Sequence, residues 1–397
     1  MRGKQGTGES AAEPPPVAPL EPRSLRRVRE FDGLRGVILI IVFVAHMNVF
    51  LPIPRLLVVP GATVSLNTFF VLSGFLITTL LLNEQLRRGR IGIGGFYGRR
   101  VVRLFPALYI VVLATALFAA ATHTWAPTEK ASIISVVFYY ANFYSASAPL
   151  VFTPRLASGF QHLWSLSFEE QFYLIWPWVT IAALTIRTRL RTVVIVLLSA
   201  IAIIGIHRGL SYESGTPFWS LFVRTDTRAD SLLWGCLLAH LWVRRKEPIR
   251  FVNIAAWIAA AFLIVCLPLA QQKGPFLYLG GFDLIDLACI TIVLAILNAS
   301  WNGNTFFRFR PLIALGVVSY GFYLWHLPVF FAIRYYDGHW SYAVRVIVAT
   351  VVTLALTLAS WFLVERPLAR WRQRREKERR VPKDPAPGGA TLEPLTS

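Results

Sequence analysis

The sequence has few cysteines and none of the common motifs of hydrolases. Three cysteines occur in 397 residues, and Cys236, Cys266 and Cys289 all lie in apolar stretches without CxxC spacing. They offer neither a disulfide framework nor a zinc site, and no metal is expected. Walker, GxSxG and HExxH motifs are also missing, so hydrolase and metalloprotease functions lack support.

Acidic residues are scarce, at 21 against 40 Lys and Arg, which gives a net charge of +19. A basic total can indicate nucleic-acid binding. Here, however, the basic residues cluster between apolar runs, as expected for cytoplasmic loops that follow the positive-inside bias. The clusters lie at 23–29, 87–103, 187–191, 244–250, 308–310 and 366–380. Nucleic acid is therefore not an expected partner; a lipid bilayer is.

Long apolar runs dominate the chain, which is 55% hydrophobic with a mean hydropathy of +0.54. About 20 apolar residues suffice to cross the hydrocarbon core as a helix. Eleven segments are candidates: 34–52, 62–82, 104–122, 131–146, 162–184, 192–207, 229–243, 251–270, 282–299, 312–333 and 343–364. The composition predicts an all-α, polytopic helical bundle in the cell membrane.

The loop charges favour about ten crossings with both termini in the cytoplasm. If 131–146 crossed, the basic loop at 187–191 and every later basic loop would fall outside. The segment is short and contains Tyr139, Tyr140 and Tyr144, and tyrosine is enriched at membrane interfaces. We therefore expect it to lie in the interface or to re-enter; eleven crossings are the alternative.

Composition divides the chain into three parts. Residues 1–30 begin with a Pro-, Gly-, Ala- and Glu-rich stretch, which predicts a disordered cytoplasmic tail. No apolar signal-peptide core follows within these residues, so no cleaved signal is expected. Residues 31–369 form the predicted membrane domain, and 370–397 a flexible cytoplasmic tail.

Polar residues form a stripe on the first predicted span. At 100° per residue, Arg35 and His46 lie about 20° apart and Asp32 lies on the same side. Asp32 and Arg35 are near the cytoplasmic end, where an interfacial ion pair explains them as well as function does. His46 lies deep in the span, where ionisable residues usually face a bundle interior or cavity.

A second stripe occurs in "HLWSLSFEEQFYLIWP". His162, Ser165, Glu169 and Tyr173 fall on one narrow helical face. They are predicted to line a polar cavity, which we favour for His162 and Glu169. An interhelical hydrogen-bond network is the alternative, and it is equally open for Ser165 and Tyr173.

Three further groups add candidates. In "SYGFYLWHLPV", Tyr323 and His326 share a face of a later span. Arg228 and Asp230 stand at the mouth of the span at 229–243. The basic loop before the third span contains a set of arginines suited to phosphate groups, although positive-inside charge or anionic lipid explains them too: Arg99, Arg100 and Arg103.

Seven stretches in register resemble the integral-membrane acyltransferase family 3, which includes O-antigen and peptidoglycan O-acetyltransferases. They are "FDGLRG" with the Arg35-to-His46 spacing, "FFVLSGFLI", "FYGRRVVRLFPALY", "HLWSLSFEEQFYLIWP", "RADSLLWG", "SYGFYLWHLPV" and "ERP". They extend from residue 31 to about 367.

The resemblance implies transfer of an acyl group, commonly acetyl, from cytoplasmic acyl-CoA to a hydroxyl of a carbohydrate-containing acceptor. That acceptor could be an envelope polysaccharide, peptidoglycan, a glycolipid or a glycosylated metabolite. It also implies functional roles for Arg35 and His46, and it maps the family's basic motif to Arg99, Arg100 and Arg103. Some family members carry a fused esterase-like domain; here about thirty polar residues follow the last span, so direct delivery and hand-over to a partner protein both stay open.

These candidates suggest a mechanism. Histidine titrates near neutrality, so His46 is predicted to be the general base for the acceptor hydroxyl, or a transient acyl carrier. Glu169 would orient an imidazole, that of His46 or His162. Arg35 would bind the donor or stabilise developing negative charge, and the three loop arginines would hold the CoA phosphates.

A transporter or flippase of acyl donors or lipid-linked sugars is the competing class, because polar stripes inside a bundle suit it as well. We detect no repeated half and no pair of broken spans in corresponding positions, the usual signs of alternating access. A purely structural scaffold fits poorly with so many buried ionisable groups.

Overall fold

The computed structural model describes most of the chain, with short gaps. It covers residues 28–51, 61–124, 129–147, 156–245, 249–270, 272–298, 300–336 and 340–378. The predicted tails therefore lie mostly outside the described residues. The first helix begins at Arg29 and the last runs to Glu378, nine residues past the predicted domain boundary at 369.

The described residues are mostly helical and contain no β-strand. A helix satisfies its own backbone hydrogen bonds, as a chain surrounded by lipid must. The first half comprises α1 (Arg29–Phe50), α2 (Ala62–Arg88), α3 (Ile93–Ala121), α4 (Glu129–Val137), α5 (Ala141–Ser147), α6 (Trp164–Thr185), α7 (Leu190–Glu213) and α8 (Phe218–Val223). The second comprises α9 (Ala229–Arg244), α10 (Val252–Leu269), α11 (Phe282–Leu297), α12 (Asn304–Phe307), α13 (Arg310–Val317), α14 (Ser319–Tyr336), α15 (Tyr342–Ser360) and α16 (Arg366–Glu378). Short 3₁₀ or π segments at Leu156–Leu163, Thr225–Thr227, Leu277–Gly281 and Trp361–Glu365 connect several of them.

The predicted polytopic bundle is confirmed. Seven helices in the described part are long and apolar enough to cross a membrane, or eight if α13 and α14, bent by 75°, form one span. Within the described residues, each of the ten predicted crossing segments overlaps a helix, and ten crossings stay a prediction. The segment 131–146 forms α4 and α5, of nine and seven residues, each too short to cross the hydrocarbon core as a helix.

Glycines allow two helix pairs to pack at backbone distance. On α2 and α9, a Cβ at Gly74 would clash with the Leu232 carbonyl, and one at Gly235 with the Val71 carbonyl. On α1 and α13, a Cβ at Gly316 would clash with the carbonyl of Asp32. Small residues are the usual means of close helix packing in membranes. The first pair fixes α2 in the interior, and the second fixes the start of α1, which carries Asp32 and Arg35.

Candidate active site

A cavity of about 760 Å³ lies between α1, α2, α3, α6 and α14. Along α2 it is lined by residues from Ser65 to Arg88, a rise of about 35 Å that matches the roughly 30 Å hydrocarbon core. Its residues change in character along this length. Arginines stand at one end, a carboxylate cluster lies farther in, and hydroxyl groups lie beyond that.

The arginine end of the cavity carries excess positive charge. Six arginines line it: Arg87, Arg88, Arg99, Arg100, Arg103 and Arg372. Two acids lie among them. Glu84 pairs with Arg88 at 3.0 Å and with Arg99 at 3.6 Å, and Glu170 pairs with Arg100 at 3.5 Å. An end with six guanidinium groups and two carboxylates is suited to a polyanion.

Two of these arginines are held in place by neighbouring groups. The guanidinium of Arg100 lies 3.3 Å from the centre of the Tyr173 ring and 4.9 Å from that of Phe96. Arg372 reaches the cavity from α16 and donates to the carbonyl of Arg99 at 3.4 Å. Sequence reasoning missed Arg372, because it lies in the segment predicted to be a flexible tail.

Farther in, the first predicted stripe meets the second. Asp32 and Arg35 form an ion pair at 3.6 Å and both line the cavity. Arg35 also interacts electrostatically with Glu169 of α6. The buried Glu169 carboxylate accepts hydrogen bonds from Ser73 of α2 and from Tyr173. The structure thus brings Arg35 of the first stripe near Glu169 and Tyr173 of the second, a neighbourhood that the spacing on each helix did not predict.

The partners of Glu169 correct one expectation. The sequence predicted that this carboxylate orients an imidazole, but its hydrogen bonds within the described residues go to Ser73 and Tyr173. The physical reason is depth. Glu169 follows His162 by seven residues, about 10 Å of helix rise, so it lies beside the middle of α2. Sequence reasoning did not single out Ser73, which lies within the motif "FFVLSGFLI". A hydroxyl group in an otherwise apolar run was the signal that could have identified it.

Beyond the carboxylate, two hydroxyl groups border the cavity. Ser165 and Tyr323 line it and lie 2.7 Å apart, oxygen to oxygen. Both hydroxyl oxygens also lie within hydrogen-bond distance of the carbonyl oxygen of His162, at 3.1 Å and 2.7 Å. These contacts connect the start of α6 with α14 beside His162.

Three histidines from three parts of the chain form a cluster at that point. His46 Nδ1 lies 2.8 Å from His326 Nε2, and the two rings are stacked with centroids 5.1 Å apart. The His162 ring lies 4.8 Å from that of His326. His162 and His326 are buried, whereas His46 keeps partial exposure. None of the three lines the cavity. The sequence predicted that His46 shares one cavity wall with Arg35, but His46 lies behind the inner end of the cavity.

Arg228 and Asp230 belong to a different place. Both are fully buried near the start of α9, and neither lines the cavity. Arg228 donates to Asn67 at 2.7 Å and stacks 3.6 Å from the centre of the Phe282 ring. Asp230 pairs with Arg208 of α7. Their predicted place as cavity residues is wrong, because other helices close over them.

Sequence reasoning missed the rest of this network. Arg208 also pairs with Asp283 at 2.8 Å, and Asn67 and Ser231 each donate to Asp286 at 2.8 Å. Two aspartates three residues apart in "FDLID" share one face of an apolar helix, and that spacing was the available signal. Within the described part of the chain, no three His, Cys, Asp or Glu side chains are placed to hold a metal ion.

These features define a class. A bundle of membrane-crossing helices around a deep charged cavity, with carboxylate and imidazole groups at successive depths, is a multi-pass membrane protein with side chains suited to proton and group transfer. The chain belongs to the acyltransferase-3 family, whose acyltransferase-domain model matches residues 28–365. The resemblance inferred from the seven motifs is confirmed.

Curated relatives are O-acetyltransferases by name. The chain is 29% identical over 316 residues to the peptidoglycan O-acetyltransferase OatA of Listeria monocytogenes, with 77% of this chain and 50% of that protein covered. It is 28% identical over 361 residues to the O-acetyltransferase OatA of Staphylococcus aureus, covering 87% of this chain and 58% of that protein. The chain thus spans about half the length of the curated relatives it matches. No solved structure gives a significant match.

Proposed function

We propose that this protein is a membrane O-acyltransferase that moves an acetyl group from a cytoplasmic acyl-CoA to a hydroxyl of a carbohydrate acceptor. The observation that carries the proposal is the order of groups in the cavity. Six arginines stand at one end, Arg35 and Glu169 lie midway, and the histidine cluster lies behind the other end. A donor with a phosphate-rich head and a long arm fits that order.

The arginine end supports acyl-CoA as the donor. Guanidinium groups bind phosphate oxygens in bidentate geometry, and the positive-inside bias of the basic loops supports a cytoplasmic location for this end. Along α1, Arg35 and His46 are separated by about 16 Å of rise. The pantetheine arm of CoA would cover this interval, so the phosphates stay at the arginines while the thioester reaches the inner end of the cavity.

At the inner end, His46 is the proposed general base. It would remove the proton of an acceptor hydroxyl as the oxygen attacks the thioester carbonyl carbon. The carbon–sulfur bond then breaks, and the thiolate leaving group receives the proton from His46, which restores the free base. His46 is partly exposed yet does not line the cavity, so the acceptor would approach it from the outer face and the thioester from the cavity. A transient acyl-histidine is the other route.

The names of the relatives support a cell-wall glycan as the acceptor. Peptidoglycan is the first acceptor to test, because the Listeria relative is named for it. The acyl group goes either directly to the glycan or first to a partner protein that completes delivery.

Thiol release by the detergent-purified protein tests the proposal. Wild type, His46→Ala and His240→Ala are given acetyl-CoA with crude envelope glycan, and released CoA is measured. His240 is also buried but contacts Arg244 on α9, so its substitution is the matched control. We expect wild type and His240→Ala to release CoA and His46→Ala to release at least about 100-fold less. Equal rates in all three would remove His46 from the mechanism. Acetylated glycan formed only from another acyl donor would rule out acyl-CoA as the donor but would support the acyltransferase function.

The length of the cavity also supports a second candidate function, transport. A cavity that extends along about 35 Å of α2 also suits a transporter of acyl donors or lipid-linked sugars. Proteoliposomes loaded with glycan separate the two. Transfer consumes acetyl-CoA and leaves acetyl esters on the glycan, whereas transport moves the donor or the sugar with its thioester and hydroxyls intact.

A further inference from the structure

We propose that His326 is a positioning residue that fixes the tautomer of His46, with the hydrogen on Nδ1 and the lone pair on Nε2. This inference rests on the proposed function, since it assigns the partner of the proposed catalytic histidine. Its evidence is the position of the Tyr323 carbonyl oxygen beside two imidazole rings and the contact between His46 and His326.

The carbonyl oxygen of Tyr323 fixes the first two rings. It lies 2.7 Å from Nδ1 of His326 and 2.7 Å from Nε2 of His162. A carbonyl oxygen can only accept, so both nitrogens carry hydrogen and donate to it. In neutral His326, the second nitrogen, Nε2, therefore has a lone pair and no hydrogen.

His46 takes its tautomer from that lone pair. Its Nδ1 is 2.8 Å from Nε2 of His326, and a lone pair there requires a hydrogen on Nδ1 of His46. The neutral His46 ring then has its lone pair on Nε2. The ring nitrogen that faces away from His326 is thus the basic one, and the second imidazole has the orienting role expected of Glu169.

The same contact helps the reaction step. When His46 Nε2 takes a proton from the acceptor hydroxyl, the ring becomes positively charged and its Nδ1–H becomes a stronger donor. His326 accepts that hydrogen bond, while its own Nδ1–H remains bound to the Tyr323 carbonyl. Charge thus spreads toward a fixed backbone dipole in a region where His162 and His326 are buried.

Asparagine and glutamine separate the two contacts of His326. An asparagine amide occupies roughly the place of Nδ1, so it can donate to the Tyr323 carbonyl but cannot reach His46. A glutamine amide extends to the place of Nε2, where its oxygen can accept from His46. We expect His326→Asn to lower kcat about 100-fold and His326→Gln to stay within about tenfold of wild type. The KM for acetyl-CoA should stay within about twofold in both, and the buried control His240→Gln should match wild type.

A kcat in His326→Asn that equals that of His326→Gln or of wild type would overturn the inference. Nitrogen-15 spectra of histidine-labelled wild-type protein provide a test that needs no folded variant at 326 and no activity. The His46 signal, assigned by its loss in His46→Ala, should have the pattern of a ring protonated at Nδ1; protonation at Nε2 would overturn the inference. If wild type transfers no acyl group, the proposed function fails, and the spectra still decide the tautomer.

Discussion

Removing Arg208 should destabilise the fold strongly while leaving donor binding intact. The Arg208 side chain is fully buried and pairs with Asp230, which is also fully buried. It makes a second pair with Asp283, whose side chain is 24% exposed and also accepts from Trp234 at 3.1 Å. In Arg208→Met, Asp283 keeps its hydrogen bond from Trp234 and remains partly exposed. Asp230, by contrast, is fully buried and loses its hydrogen-bonding partner.

The magnitude follows from the state of Asp230. Within the described residues, its Oδ1 has no hydrogen-bond partner, and its Oδ2 bonds to Arg208. Arg208→Met thus leaves the buried carboxylate without its hydrogen-bonded partner, with only the electrostatic attraction of Arg228 remaining. Removing one partner of a buried pair costs about 3–5 kcal/mol. For a domain of this size, that corresponds to a loss of roughly 4–7 °C in Tm.

A second substitution tests the cause. Arg208→Met/Asp230→Leu removes the uncompensated charge together with its partner, and well-packed apolar replacements of buried pairs are often neutral. We expect the double variant to recover more than half of the lost Tm. Recovery means that the two single losses do not add, which is the signature of direct coupling.

The buried cysteines supply the assay. Cys236, Cys266 and Cys289 are free and buried, so a thiol-reactive fluorescent dye reports unfolding in detergent without engineered labelling sites. Because Arg208 does not line the cavity, the KM of Arg208→Met for acetyl-CoA below its melting temperature should equal that of wild type. An Arg208→Met melt within about 1 °C of wild type, or a double variant no better than the single, would refute the reasoning.

Two further predictions concern the arginine end and the packing of the bundle. Arg100→Gln should raise the KM for acetyl-CoA about tenfold, the equivalent of about 1.4 kcal/mol, with little change in kcat. The control Arg189→Gln, at an exposed position, should leave KM unchanged. Steady-state thiol release measures both variants, and an effect of Arg100→Gln on kcat alone would contradict phosphate binding. Gly235→Val should lower the Tm and the yield of folded protein, because its side chain would clash with the backbone of α2 at Val71 and Phe75. Gly94→Ala, where a Cβ meets no atom within 4 Å, is the control for the dye melt; equal melts would mean that α2 and α9 separate without cost.

The sequence was most informative within single helices. Helical spacing placed Ser165, Glu169 and Tyr173 on one face, and all three line the cavity. It could not supply contacts between helices far apart in the chain. The hydrogen bond between His46 and His326 joins residues separated by 280 positions, and the one between Ser73 and Glu169 joins residues separated by 96. Periodicity fixes the face of a residue on its own helix but not the neighbour that this face meets.

The same limit explains the different outcomes for Arg35 and Arg228. Both are arginines in or beside apolar helices, and an ionisable residue inside a membrane is a functional candidate by default. The structure separates them by the space around each side chain. Arg35 borders an open cavity with Glu169 close by, so a ligand can reach it. Arg228 is enclosed by Asn67 and the Phe282 ring, so its charge can act only on its neighbours. In this bundle, open volume beside a charged group, rather than burial of the charge itself, distinguishes residues placed for chemistry from residues that hold the helices together.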